Sequence, residues 1–336
     1  MNYLELSQNQ SRVAQDAKQV FGAYQEAEHA LDQYRGGMAW KVSAGHEYLI
    51  RVTNRRGGNR SLGPRSAVTE KIYEDFFAAK LRVSERFTGL KQSLNELSGM
   101  ARGVGINRVP NIVTATLRAL DAKGLLGKNL IVIGTNAMYA FESVAGVLFD
   151  TGLLATMDMD LLWDARTSLK LGVQDDAVID GGLLAVLKAV DKSFELVGKG
   201  KFSAVNKDGF YIDLVRQAAN PPWKLDDPIK MAPNDLTPAW LSHIQWLLSS
   251  PKFLSVVIGQ DGIPAPMVAP DPRAFATYKM WLSEQDEREP YKRRRDEAQA
   301  IAVLGLVRDR LPHLKLDEKA EQMFPKQVRR LNGLVD

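Results

Sequence analysis

The sequence predicts an α+β protein: a helical N-terminal domain bearing a basic β-hairpin, a small mixed or antiparallel sheet with helices behind it, and a helical C-terminal segment closing a cleft. Three observations lead there. Long stretches near both ends repeat apolar residues at helical spacing, whereas the middle holds short β-branched runs punctuated by glycine turns. Between them, residues 130–163 read LIVIGTNAMYAFESVAGVLFDTGLLATMDMDLLW, which is a buried strand, a tight turn, a helix and a second strand carrying two aspartates. The shifts in pattern divide the chain at 1–105, 106–230 and 231–336.

Composition narrows the chemistry. The 336 residues, 45% hydrophobic and 25% charged, are ordinary for a soluble globular chain. With no cysteine, disulfides, thiolate zinc sites and a cysteine nucleophile are excluded, and four histidines leave little room for a histidine-built metal centre. The start, MNYLELSQNQ, has neither a basic leader nor an apolar core, and no run is apolar for the length of a membrane span, so a cytoplasmic protein with no membrane partner is expected. Net charge is +4, mildly basic, and does not by itself call for a nucleic acid. Nothing in the pattern marks an oligomeric state.

From about Tyr3 to Tyr34, Val13, Ala17, Val20, Phe21, Tyr24, Ala27 and Leu31 form the stripe of an amphipathic helix, ended by Gly36-Gly37. Residues 38–53 alternate in two runs broken at Ser43-Ala44-Gly45, a hairpin. It leads into NRRGGNRSLGPRS, where Arg51, Arg55, Arg56, Arg60 and Arg65 cluster among glycines. Arginine forks suit phosphate and glycine lets backbone amides approach it, so this loop reads equally as a phosphate or RNA contact and as a solvated connection. Ser66 or Thr69 caps the next helix, about Ala67 to Leu97, packed antiparallel on the first. A shorter helix from Pro110 to Lys123 joins it to the central strand.

Leu130–Ile133 is short and β-branched, and Gly134-Thr135 follows at once with Ala137, Met138, Ala140 and Phe141 at helical spacing. VAGVLFDTGLLAT then reads as an inserted loop or extra strand. In a strand, Asp158 and Asp160 point to one face, where like charges repel and a cation relieves them. A helix over Ile179–Asp191 and three runs, Phe194–Val197, Phe202–Asn206 and Phe210–Arg216, come next; in the last, Asp213 shares a face with Tyr211 and Val215.

Beyond the loop PPWKLDDP, His243–Leu248 and Phe253–Gly259 read as strands, with DGIPAPM as turn and edge strand. Asp271 caps a helix starting at Pro272 and holding Phe275, Tyr278, Lys279, Trp281 and Leu282. After Pro290, Lys292, Arg293, Arg294 and Arg295 make a basic first turn, unfavourable to the helix dipole unless acidic groups or a phosphate lie near. Glu284, Asp286, Glu287 and Glu289 are the nearer explanation, and Asp296 has a base to pair with. His243 and His313 read as structural, and one more short helix closes the chain. GKGK at 198–201 lacks the spacing of a phosphate loop, and neither GxGxxG nor a nucleophile elbow is present.

Gly134-Thr135 opening a helix, Asp158-Met159-Asp160 on a following strand and Asp213 on a later strand, expected antiparallel, resemble the nucleotidyltransferase signature of the polymerase-β superfamily. The segments SLGPRS, GTNA and FATYKMWLSEQ are similar to a bacterial branch with that fold, over most of the chain. The resemblance implies transfer of a nucleoside monophosphate from a nucleoside triphosphate to an acceptor, with Asp158, Asp160 and Asp213 holding Mg²⁺ or Mn²⁺ and Asp213 deprotonating the acceptor. It also implies triphosphate contacts from Gly134, Thr135 and Asn136, from Lys279, and more weakly from Arg273. The family pattern has two small residues after the first glycine, so Asn136 is a departure. The arginine-rich hairpin makes RNA, tRNA especially, the first acceptor to consider. A protein hydroxyl and a small molecule also stand.

Two other classes remain beside it. A metal-dependent glycosyltransferase also uses an acidic DxD after an apolar strand; an antiparallel pairing of the DMD and Asp213 strands favours nucleotidyl transfer, and a parallel Rossmann-like sheet favours glycosyl transfer. A catalytically silent domain carrying a basic RNA-binding arm is the third.

Overall fold

The computed structural model describes residues 3–53, 58–164, 182–198, 200–218 and 234–315, and its architecture is α+β. The chain divides into two compact units, Arg12–Ile106, and Met1–Ser11 with Asn107–Asp336. No helix among the described residues is long and apolar enough to cross a membrane.

The chain opens with a short strand, Tyr3–Glu5 (β1), and a helix, Gln8–Gln33 (α1). In the Arg12–Ile106 unit, strands Gly37–Ser43 (β2), His46–Val52 (β3) and Asn59–Pro64 (β4) form an antiparallel sheet in that order. The hairpin is therefore three-stranded. Part of the stretch read as loop pairs with the open edge of β3 and satisfies its backbone donors. Ser66 caps the 37-residue helix Ala67–Gly103 (α2) through a reciprocal box with Thr69. Tyr24 meets Phe87 at 5.0 Å and Tyr34 meets Phe76 at 5.4 Å, so α1 and α2 run antiparallel.

Two of the five arginines work inside this unit. The Arg51 guanidinium lies 4.6 Å from the Phe76 ring centre and donates to the carbonyls of Gln33, Gly37 and Val52. Arg65 lies over Trp40 and pairs with Glu47 and Glu70 at 2.7 and 2.8 Å. Arg60 is exposed on β4. Arg55 and Arg56 lie outside the described residues.

In the other unit, helix Asn111–Ala122 (α3) precedes strand Leu130–Ile133 (β5), a 3₁₀ turn at Thr135–Ala137 and helix Met138–Ala145 (α4). Val147–Phe149 (β6) pairs antiparallel with β1, which takes Tyr3–Glu5 out of the helical pattern. A one-turn helix, Thr151–Leu154 (α5), leads to Asp158–Trp163 (β7). Then come Gly182–Val190 (α6), Glu195–Val197 (β8), Ser203–Val205 (β9), Tyr211–Gln217 (β10) and Ala239–Leu241 (β11). Helix Gln245–Ser249 (α7), the ladder Lys252–Ile258 (β12) with Pro264–Pro270 (β13), and helices Pro272–Ser283 (α8) and Pro290–Arg310 (α9) complete it.

The central sheet is mixed, in the order β5-β7-β10-β9-β8 with β11 beside β10. β5 and β7 are antiparallel, as are β10 and β9, but β7 and β10 are parallel. That corrects the antiparallel expectation for the two aspartate strands. The β8–β9 hairpin takes the antiparallel edge of β10, and the crossover through α6 returns the chain parallel to β7. A second correction concerns His243–Leu248, whose short apolar run has an ambiguous period and folds as a turn at His243-Ile244 followed by most of α7. The last helix and the PPWKLDDP loop lie outside the described residues.

Each sheet face is packed by side chains of alternating parity. Val132, Met159, Leu161, Ile212 and Leu214 join the main core with Val113, Leu117 and Leu120 of α3 and Phe141 of α4. Ile131, Ile133, Leu162 and Val215 point to the opposite face, under Trp246, Tyr278 and Trp281.

A buried ion pair fastens α4 to β6. Arg108 donates from Nε and Nη2 to the two Glu142 carboxylate oxygens at 3.1 Å each and to the Phe149 carbonyl at 2.6 Å, while the Phe149 amide donates to Glu142 at 2.7 Å. Burial pushes the Glu142 carboxyl above its usual range and Arg108 opposes this. Arg108→Met is expected to lower stability by about 3–5 kcal/mol at neutral pH, because it strands a buried charge. In urea denaturation the deficit should shrink at acid pH, where Glu142 takes a proton; a loss independent of pH would contradict it.

Candidate active site

The carboxylates stand together at one end of the sheet. Period-two alternation puts Asp158 and Asp160 on the same face of β7, and the β7–β10 register sets Asp213 directly beside Asp160, with Ile133 of β5 on its other side. All three aspartates are half-buried. Burial, then the charges of Asp158 and Asp213, push Asp160 from 3.8 up to about 7, against the pull of Lys279 and Arg288. Asp213 is also raised, by burial first and then by Asp158, while a hydrogen bond from Ser203 on β9 works the other way. Its Oδ1 is buried without a hydrogen-bond partner. The Thr156 hydroxyl donates to Asp158 Oδ1.

The glycine turn touches this group. Gly134 has φ +65°, and a Cβ built there would lie 2.1 Å from Asp160 Oδ2. Only a residue without a side chain lets the backbone pass so close to that carboxylate. Asn136, the departure from the family pattern, is buried and donates from Nδ2 to the Asp158 carbonyl at 2.6 Å, which fastens the start of β7 to the turn. Thr135 is buried too, and its Oγ1 accepts from Arg295 at 2.9 Å and Gln299 at 3.2 Å.

Lys279 of α8 and Arg288 of the turn before α9 lie within the field of Asp160, and Arg295 of α9 reaches the glycine turn. Lys279 is buried on α8 and donates to Asp296 Oδ1 at 2.7 Å. Arg288 donates from Nε and Nη2 to Asp296 Oδ2 at 2.9 and 2.8 Å. Burial lowers the Lys279 ammonium, Asp296 and Asp160 pull it back, and Arg295 adds to the lowering. Arg295 also donates to the Ala155 carbonyl at 3.3 Å. Arg273 instead turns to Asp271, at 2.9 and 2.7 Å, and to the Lys315 carbonyl at 2.6 Å.

The geometry thus brings Asp158, Asp160 and Asp213 together, sets Gly134 against Asp160 and Lys279 within the field of Asp160, and engages Arg273 with its helix cap. Arg288 and Arg295 were not singled out as site residues. Arg295 had a signal, the basic first turn of α9; Arg288 stood in an acidic stretch with none. Among the described residues no three acidic or histidine side chains converge closely enough to enclose an ion unaided. Hard carboxylate oxygens, one of them orphaned, are nonetheless the donor type a divalent cation takes when phosphate oxygens and water supply the remaining ligands.

Because Asp160 is raised in the fold, the stability linked to it is full below about pH 4 and is lost as pH climbs to about 7. The rise corresponds to about 4 kcal/mol. In chelator, urea denaturation across that window should show a falling stability that Asp160→Asn flattens. An unchanged slope in the variant would show the carboxyl to be unperturbed.

A family model described as Nucleotidyltransferase matches residues 111–325, more than half of the chain. Neither a curated protein nor a solved structure matches it.

Proposed function

We propose, for a chain that belongs to this nucleotidyltransferase family and is thereby a transferase of phosphorus-containing groups, that it moves a nucleoside monophosphate from a nucleoside triphosphate to a hydroxyl of RNA. The observation that carries this reading is the juxtaposition of Asp158, Asp160 and Asp213 with the cations held around Asp296. The parallel pairing of β7 and β10 lies within a mixed sheet, and the family match favours nucleotidyl over glycosyl transfer.

In this reading residues 106–230 form the catalytic core, and 231–336 bring Lys279, Arg288 and Arg295 over it. Asp158, Asp160 and Asp213 hold Mg²⁺ or Mn²⁺, with the orphaned Asp213 Oδ1 as one ligand or as the atom that takes the acceptor proton. The cation, when bound, supplies charge stabilisation at the attacking and leaving oxygens. Gly134 lets the triphosphate close on the sheet edge, and the buried Thr135 and Asn136 fix the turn beside it. Lys279, Arg288 and Arg295 neutralise the departing pyrophosphate, and Asp296 holds two of them in place. Arg273 positions the start of α8 by clamping Asp271.

The assignment of RNA draws on charge. Residues 12–106 carry 15 Lys and Arg against 10 Asp and Glu, a surplus of five, whereas the chain as a whole has a surplus of four. Arg60, with Arg55 and Arg56, is the part of the arginine cluster that this reading gives to RNA phosphates.

Purified protein incubated with each labelled triphosphate, Mg²⁺ and total RNA or total protein is expected to label RNA from one nucleotide. Asp158→Asn and Asp160→Asn should reduce transfer by roughly a thousandfold, and Arg295→Ala should raise the KM for the triphosphate about tenfold. Label on protein would replace the acceptor; transfer undiminished by either aspartate variant would sink the mechanism.

A further inference from the structure

The sheet face that carries the three carboxylates continues into an aromatic cluster. Beyond Asp160 and Ile133, the side chains of Ile131, Leu162 and Val215 are covered by Trp246, Tyr278 and Trp281. Tyr278 and Trp281, one turn apart on α8 and flanking Lys279, stack with their rings 25° from parallel and centres 5.8 Å apart. Trp246 backs Trp281 edge-on, at 5.4 Å and 74°. In front lies His243, its ring centre 5.0 Å from that of Trp281. Trp281 is half-buried and His243 exposed, so this end of the cluster is open.

His243 lies in the turn before α7 and, like Ala44 and Lys201, is a non-glycine residue with positive φ. Its φ is +64°, in the left-handed region that favours glycine and disfavours a residue with a Cβ. Strain of this kind persists where the surroundings hold it, and it collects at ligand sites. Here it lays an imidazole against an indole on the face where the catalytic carboxylates stand.

We propose that Trp281 and His243 form the stacking platform for the nucleobase of the donor triphosphate. This rests on the reading that the chain binds such a nucleotide. A nucleotide whose phosphates lie among Asp160, Lys279 and Arg288 must send its base away from them, and every base offers a π-face to aromatic side chains. Tyr278 is the link: it belongs to the stack, and its hydroxyl lies in the fields of Arg288, Asp160 and Asp296. Stacking is tolerant of base identity, so the platform contributes affinity more than discrimination.

His243→Gly is the deciding variant, because it deletes the ring while placing at φ +64° the residue that conformation favours. Trp281→Leu is the second. Binding of ATP, GTP, CTP, UTP and inorganic tripolyphosphate to the full chain would be measured with Mg²⁺, alongside the melting temperature. His243→Gly should melt no lower than the parent, bind the nucleotides roughly tenfold more weakly and bind tripolyphosphate unchanged. Parent-like nucleotide affinity in His243→Gly would overturn the platform, as would an equal loss for tripolyphosphate. Retained nucleotide affinity with lost transfer to RNA would do the same, by giving the rings to the acceptor. A parent protein that binds neither nucleotide nor tripolyphosphate would remove the underlying reading and the platform with it, whereas one that binds both alike would remove the platform alone.

Discussion

Repulsion among three carboxylates on one sheet face is the constraint that much of this unit answers. Asp158 and Asp160 are two residues apart on β7, and Asp213 stands beside Asp160 across the ladder. Burial first, and then the neighbouring carboxylates, push Asp160 up to about 7. The fold replies with Lys279 and Arg288, and Lys279, buried, needs an anion of its own. Asp296, almost wholly buried, serves both. Carboxylates and cations are thus held facing each other without collapsing into direct pairs, an arrangement suited to a ligand that carries both a metal and phosphates.

The backbone is shaped by the same closeness. Gly134 has a left-handed φ and Asp160 leaves no room there for a Cβ, two separate demands for glycine, and Asn136 ties the turn to the beginning of β7. Helices α8 and α9 matter here less as a covering layer than as the carriers of Lys279, Arg295 and Asp296. Arg295 reaches back to Thr135, so the basic start of α9 is joined to the glycine turn through side chains some 160 residues apart in sequence.

Legibility in the sequence followed the range of the interactions. Local signals were clear: the Ser66 cap of α2, the Asp271-Pro272 start of α8, the β-branched run of β5, and the parity that sets Asp158 and Asp160 on one face. The pairing of β7 with β10 was misjudged in direction, since strand direction depends on a crossover and on the β8–β9 hairpin, which no residue in either strand encodes. Asn59–Pro64 reads as loop because Arg60, Gly63 and Pro64 hide a strand that exists only against β3. Arg288 was invisible for a different reason: its partner, Asp296, lies across a turn on the next helix, and the acidic residues near it in sequence offered nearer explanations.

Strand β1 has a consequence for how the chain is made. Tyr3–Glu5 pairs with Val147–Phe149, Tyr3 donates to Asp309, and Glu5 pairs with Arg310, so the first residues of the chain belong to the unit that is otherwise built from Asn107 onward. The Arg12–Ile106 unit is therefore an insertion rather than an appendage. On the ribosome, this strand emerges ahead of the inserted unit, whose local helix and hairpin contacts need no partner from the rest of the chain. Only after β6 and, much later, α9 have left the exit tunnel can that strand find its partners. The unit built from Asn107 onward can thus close only after the inserted one has been made, once Arg310 is there to meet Glu5.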